Sequence, residues 1–382
     1  EEGEPSKGAP TSITLELTES TQSFVLKHLP QQPVPSAFRN FSAPVKFHHD
    51  LTQAELLFLM SHDADEFNRW DAAQQILTQT LLSLISEYQQ QTAKHEEAGI
   101  ESRIDGLINA FRVILGNSDM EKEVMSRTLA LPGESYLGEQ MEIIDIDSMH
   151  HVREATKQAI GKLLRQEFFD LYCQLHQTDA SGYDAESAGI RSLKNLALEY
   201  LMTLGDQEIQ SLCLHQFQQA RTMTDEIKAL SFIVNEDEDH REQVLNRFYQ
   251  KWQHDTVVMD MWLIAQSTSK LSDVNTVKHL MNHPVFDLKN PNKTRSLIGG
   301  FTSANLVNFH QADGEGYRFL ADQVITLNSI NPQTAARLLT PIIRWKRFDK
   351  KRQALMKEQL QRILQTPQLA KDVYEVVSKS LL

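Results

Sequence analysis

Cysteine is scarce. The 382-residue chain holds two, Cys173 and Cys213, each in a helix-like apolar setting (LYCQL and SLCLH) and neither in a CxxC pair. A disulfide framework or a thiolate metal site is thereby excluded as an organising device. Buried free thiols in a reducing compartment are expected, and the expected location is the cytoplasm. Glycine (15) and proline (12) are also sparse beside 41% apolar residues, so the middle of the chain reads as packed globular material. Positive charge is outweighed, with 38 Lys and Arg against 51 Asp and Glu and a formal net charge of −13. That balance argues against duplex nucleic acid or an anionic membrane surface as a partner. No apolar run reaches the length of about 18 residues that a spanning helix needs. The start, Glu1-Glu2-Gly3-Glu4-Pro5, has no Met and no apolar segment, so no leader is read there and an upstream continuation is expected. Nucleophile-elbow and phosphate-loop signatures are missing too: the chain has no GxSxG and no GxxxxGK[ST].

What is present is helical period. Ile13, Leu15 and Leu17 alternate with polar residues as a half-buried strand would; SFVLKHL at 23–29 is a second candidate strand and FSAPVKF at 41–47 a third, shorter one. So few strands bury little apolar face by themselves, and the expectation is the end of an incomplete β-sandwich over 1–49. From about residue 50 to 382 the pattern becomes all-α. Trp70, Ala73, Leu77, Leu81, Leu84 and Tyr88 mark one amphipathic stripe, and Ile104, Leu107, Ile108, Phe111 and Leu115 mark another. A single long helix is expected over about 148–178, with Ile160, Leu163, Leu164, Phe168, Leu171 and Leu175 inward. Gly182, Gly205 and the acidic run Glu236-Asp237-Glu238-Asp239 separate further helices. Helix pairs recur at roughly 35–45 residues without a fixed consensus, which predicts an irregular HEAT-like superhelix.

The stretch from Asn290 to Leu338 carries the main candidate site. Asn290-Pro291 and Asn331-Pro332 each combine a preferred N-cap with a proline suited to the first helical position. Arg295 and Arg337 follow within two turns, with Gln333 beside the latter, and their guanidinium forks are suited to a carboxylate. Asn-Pro is also ordinary helix punctuation, and such arginines are often solvated. Asp313-Gly314-Glu315-Gly316 reads as a turn, since its two acids would repel a phosphate. Arg344-Trp345-Lys346-Arg347-Phe348 with Lys350-Lys351-Arg352 is the one basic cluster with aromatics. Leu338, Ile342, Trp345 and Phe348 fall on its apolar side, so its cations are expected on a solvated or salt-bridged face.

The motifs of this stretch, with LPQQPVP at 29–35, FSAPVKF at 41–47, RWDAAQ at 69–74, MTDEIKALS at 223–231 and KRFDKKRQALM at 346–356, resemble the C-terminal helical domain of the bacterial aminopeptidase N family. These are zinc-dependent alanyl aminopeptidases of the gluzincin class, and the likeness runs from about Leu29 to the end. The resemblance implies a parent that removes N-terminal residues from peptides with zinc and a glutamate base. The zinc signature of two histidines one turn apart is not in this chain: His95-Glu96-Glu97-Ala98-Gly99 has Gly where the second His must stand. His150-His151 and His48-His49-Asp50 lack a third ligand at a recognised spacing, and the family's GAMEN-type motif is missing. The chain alone is therefore expected to hydrolyse nothing and to hold no cofactor. The resemblance assigns it the cap that closes the catalytic chamber, with its own upstream catalytic domain as partner. It places Arg295 and Arg337, with Gln333, where the far end of a peptide substrate lies. The competing readings are a free-standing helical scaffold that binds a protein on its concave face and, further off, an RNA-binding array using Arg344–Arg352.

Overall fold

The computed structural model describes residues 12–382 except 28, 30, 46, 93–98 and 237. The first ten residues, the histidine of the near-signature at 95–99 and Asp237 of the acidic run lie outside the described residues. From Gln53 onward helix follows helix to Leu381, and the superhelix expected from the periodicity is what forms. No strand forms among the described residues of 12–50. Ile13, Leu15 and Leu17 are 63%, 45% and 70% exposed, as an alternating segment must be when no neighbouring strand covers it. The segment is fixed instead at its end. Asn68 donates Nδ2 to Ser36 Oγ and to the Ala37 carbonyl, both at 2.8 Å, Arg39 pairs with Asp63 at 2.8 Å, and Phe41 lies on Phe67.

The first helix, Gln53–His62, opens with a reciprocal cap: the Glu55 N–H donates to Thr52 Oγ1, and the Thr52 N–H donates to Glu55 Oε2. It packs on Glu66–Thr92, which buries Ala73, Leu77, Leu81 and Leu84. The helix expected over 148–178 is two, Ile146–Leu163 and Arg165–Gln177, broken at Leu164. The break follows from packing. Gly161 lets the Tyr200 carbonyl come so close that a Cβ at 161 would lie 2.6 Å from its oxygen. Leu164 and Phe168 then turn into the core, with Phe168 stacked on Tyr200 at 4.7 Å. Beyond this point each helix packs mainly on chain neighbours: Gln207–Gln219 on Met223–Glu236, and Met223–Glu236 on Glu238–Trp252. Glu315–Asn328 packs on Pro332–Leu338 and on Lys350–Leu364. This is the stacking of a solenoid, with one continuous core.

One junction breaks that local rule. The short helix Leu306–Phe309 packs on Ile146–Leu163, and Ile144 forms an isolated parallel bridge with Phe348, its N–H donating to the Arg347 carbonyl at 2.7 Å. Arg344 and Arg347 both pair with Glu139, and Arg347 also donates to the carbonyls of Gly138 and Met141. Arg352, only 8% exposed, donates Nε to the His310 carbonyl at 2.7 Å, Nη1 to Asp349 at 3.0 Å and Nη2 to Asp147 at 2.7 Å. The basic cluster is therefore a clamp that joins the last third of the chain to residues 138–147. Ile342 and Phe348 are buried beneath it, as the apolar spacing predicts.

Candidate functional site

Local chemistry builds the Asn290–Leu338 stretch as its spacing predicts. Asn290 Oδ1 accepts the Asn292 N–H at 2.9 Å, Asn331 Oδ1 accepts the Thr334 N–H at 3.0 Å, and a proline starts each helix. The helix begun at Pro291 does not run on as a regular α-helix. Arg295–Gly299 is a π-helical turn, one residue wider, before α-geometry resumes at Gly300–Ala304. The spacing does not announce this turn; it is set from below. Lys293, 5% exposed, pairs with Asp260 at 2.8 Å and donates to the Thr256 carbonyl at 2.8 Å. Ser267 Oγ donates to the Ser296 carbonyl at 2.9 Å, and a Cβ at Gly300 would lie 2.4 Å from that same hydroxyl. The turn is thus seated on the helix Thr256–Ser267.

On this seat Arg295 points outward, exposed, with its Nη2 donating to Asn292 Oδ1 at 2.8 Å. The helix carrying Gln333 and Arg337 packs on the same π-turn: a methyl at Gly299 would meet Arg295 Cγ at 3.5 Å and Leu338 Cδ2 at 3.9 Å. Gln333 and Arg337 are exposed, and neither side chain has a hydrogen-bond or ion-pair partner among the described residues. The structure therefore brings the two Asn-Pro segments together and leaves one guanidinium free. Asn292, Lys293 and Asp260, which hold the site, carry no short-range signal that would have marked them.

The other candidates are structural. Gly314 takes φ 71° and opens the helix Glu315–Asn328, and Gly316 is needed because a Cβ there would lie 2.1 Å from the Phe309 carbonyl oxygen. His150 bonds Glu134 at 2.6 Å, His151 stacks on Tyr88, and His49 accepts the Leu51 N–H. The Asp225 and Glu226 of MTDEIKALS are buried, paired with Lys194 at 2.7 Å and Lys251 at 2.9 Å. Among the described residues no group of three His, Cys, Asp or Glu is arranged to hold a metal, and no helix is long and apolar enough to cross a membrane.

A superhelix of stacked helix pairs is the architecture of armadillo-type arrays. Residues 53–382 match the family described as "Domain of unknown function (DUF3458_C) ARM repeats", and the chain belongs to it. Residues 2–50 match the companion family described as having an Ig-like fold. The most informative relatives are bacterial aminopeptidases N. That of Escherichia coli K12 is 35% identical over 98% of this chain and 42% of its own length, and that of Haemophilus influenzae is 36% identical over 97% and 42%. A solved structure of Legionella pneumophila aminopeptidase A in complex with aspartic acid superposes with a TM-score of 0.79 at 28% identity, covering 92% of this chain and 41% of that one. The chain thus spans less than half the length of the relatives it matches, and corresponds to their C-terminal region.

Proposed function

We propose that this chain is the non-catalytic C-terminal portion of a zinc aminopeptidase that removes N-terminal residues from peptides. On this reading residues 1–49 are the end of a β-sandwich, and residues 50–382 are the cap that encloses the catalytic chamber. Arg295 and Arg337, helped by Gln333, anchor the far end of the peptide. A guanidinium pairs a carboxylate without titrating, so the role is positioning, worth about 1.5–3 kcal/mol if the contact is partly desolvated. The observation that carries the reading is the free Arg337 fork beside the seated Arg295 turn, in a chain that aligns along 98% of its length with an aminopeptidase N. Zinc and its glutamate base belong, on this reading, to the upstream catalytic domain that is the chain's partner. The scarcity of cysteine, two residues in the chain, supports a cytoplasmic setting. The internal pairing of Arg344, Arg347 and Arg352 weakens an RNA-binding reading of that segment.

The test is complementation. The isolated upstream part of the parent is mixed with this chain, and hydrolysis of an alanine-linked chromogenic substrate is followed. Rescue by the wild-type chain, reduced about tenfold by Arg337→Ala while its stability is unchanged, is the expected result. A chain that binds the upstream part but restores nothing, or an Arg337→Ala chain that restores as well as wild type, overturns the assignment of that arginine.

A further inference from the structure

A cavity of about 350 Å³ lies between the helix Ile146–Leu163, the end of the helix Met223–Glu236 and the segments 268–270 and 303–307. One helix face supplies its floor, because His150, Arg153, Glu154 and Lys157 stand at i, i+3, i+4 and i+7. Glu134, at the start of the neighbouring helix Glu134–Gln140, faces His150, and Lys270 pairs with Glu236 across the rim at 2.6 Å. The lining therefore carries three permanent cations and three carboxylates, with His150 among them. This is a locally balanced patch in a chain of net charge −13.

The hydrogen-bond inventory is incomplete in a patterned way. Arg153 spends Nε on the Pro132 carbonyl at 2.8 Å and Nη1 on Glu154 at 2.9 Å, which leaves Nη2 without a partner among the described residues. Lys157 lies 3.2 Å from Glu154 and 3.6 Å from Glu199, shared between two carboxylates. On the opposite side Glu134 uses only Oε1, on His150, and Oε2 has no partner among the described residues. A guanidinium with an open donor therefore lines the same cavity as a carboxylate with an open acceptor, in a site that is half-buried or deeper.

We propose that this cavity binds a small zwitterion, a free amino acid or a short peptide, with its carboxylate on Arg153 and Lys157 and its ammonium on Glu134. A ligand of one sign satisfies one side and leaves an uncompensated charge beside the other, which costs more as water is excluded. A zwitterion adds no net charge, fills both open positions and leaves the existing pairs in place. Its size fits the volume, which is at the lower end for small-molecule sites. Binding here does not require the chamber-closing role.

The experiment is titration calorimetry of this chain with glycine, L-alanine and dialanine, with acetate and ethylamine as singly charged controls. Saturable one-to-one binding of the zwitterions, at least about tenfold tighter than either control, is expected. Glu134→Gln and Arg153→Gln should each weaken it about tenfold or more, the loss of one charge-assisted contact, with the far-ultraviolet circular dichroism unchanged. Arg153 also holds the Pro132 carbonyl, so Lys157→Met serves in its place if the Arg153 variant does not fold. Binding of acetate as tight as that of glycine, binding that survives both charge removals, or no saturation for any zwitterion by about 50 mM overturns the proposal.

Discussion

Replacing Arg352 by Met tests the anchoring of the basic cluster, since the apolar stem is kept and only the guanidinium is lost. Its three bonds are not equivalent. Asp147 and Asp349 are 64% and 43% exposed at their side chains, so water takes over when the arginine goes, and each pair is worth at most about 1 kcal/mol. The carbonyl of His310 is different. The residue is 2% exposed, and without Arg352 Nε that oxygen has no replacement donor, a penalty of about 1–3 kcal/mol. The sum is a destabilisation of about 1–5 kcal/mol, with the neutral acceptor as its largest single part. Urea unfolding followed at 222 nm measures it. Raising the salt concentration should change the loss by less than about 1 kcal/mol, because the screened ion pairs are the minor part. By the same logic, Asp147→Asn should cost less than about 1 kcal/mol. A loss under about 1 kcal/mol for Arg352→Met, or one that vanishes in high salt, refutes the assignment of the buried carbonyl as the main term.

Two further outcomes follow from the same region. Burial, and then the charge of Arg352, push the His310 pKa down to about 3, so folding holds the imidazole neutral while the unfolded chain protonates near 6.5. That contribution is complete above about pH 6.5 and is lost as pH falls, by about 2 kcal/mol at pH 5; His310→Gln should flatten this part of a stability–pH curve, and an unchanged slope would count against it. Gly316→Ala places a methyl against the Phe309 backbone rather than against a movable side chain, and should cost about 2 kcal/mol or more in thermal or urea unfolding, whereas Gly133→Ala, where the added carbon meets nothing within 4 Å, should cost far less.

What the sequence discloses here is what acts over short range. The Asn290 and Asn331 caps, the apolar side at Leu338, Ile342, Trp345 and Phe348 and the stripe at Ala73, Leu77, Leu81 and Leu84 are set by residues within a few turns of one another, and all form. The segment at 13–17 has the right alternation, but a strand is defined by a neighbour, and no described segment supplies one. The break at Leu164 depends on a carbonyl approaching Gly161 from Tyr200, and the π-turn at Arg295 on Lys293 meeting Asp260. Neither contact is visible in a local pattern. The basic cluster shows the limit most clearly. Its apolar side was legible, while its acidic partners Glu139 and Asp147 stand 205 or more positions away. The cavity face at His150, Arg153, Glu154 and Lys157 had a helical spacing that could be read, but nothing nearby in sequence shows that Glu134, Glu236 and Lys270 complete it.

The same clamp changes what kind of polymer this is. An open array of helix pairs behaves like a row of dominoes: any pair can melt at an end, and stability is a sum over neighbours. Joining Asp147 to Arg352 ties the row into a loop of about 205 residues, whose closure from an unstructured chain would cost about 5 kcal/mol in entropy. Ion pairs on half-exposed carboxylates do not supply that, so the loop can close only after the intervening helices have stacked. The junction should therefore form last in folding and open first under strain. Once formed, it joins the two sides of a cut between them in addition to the continuous core, so that a nicked chain should migrate whole on a sizing column and come apart in denaturant.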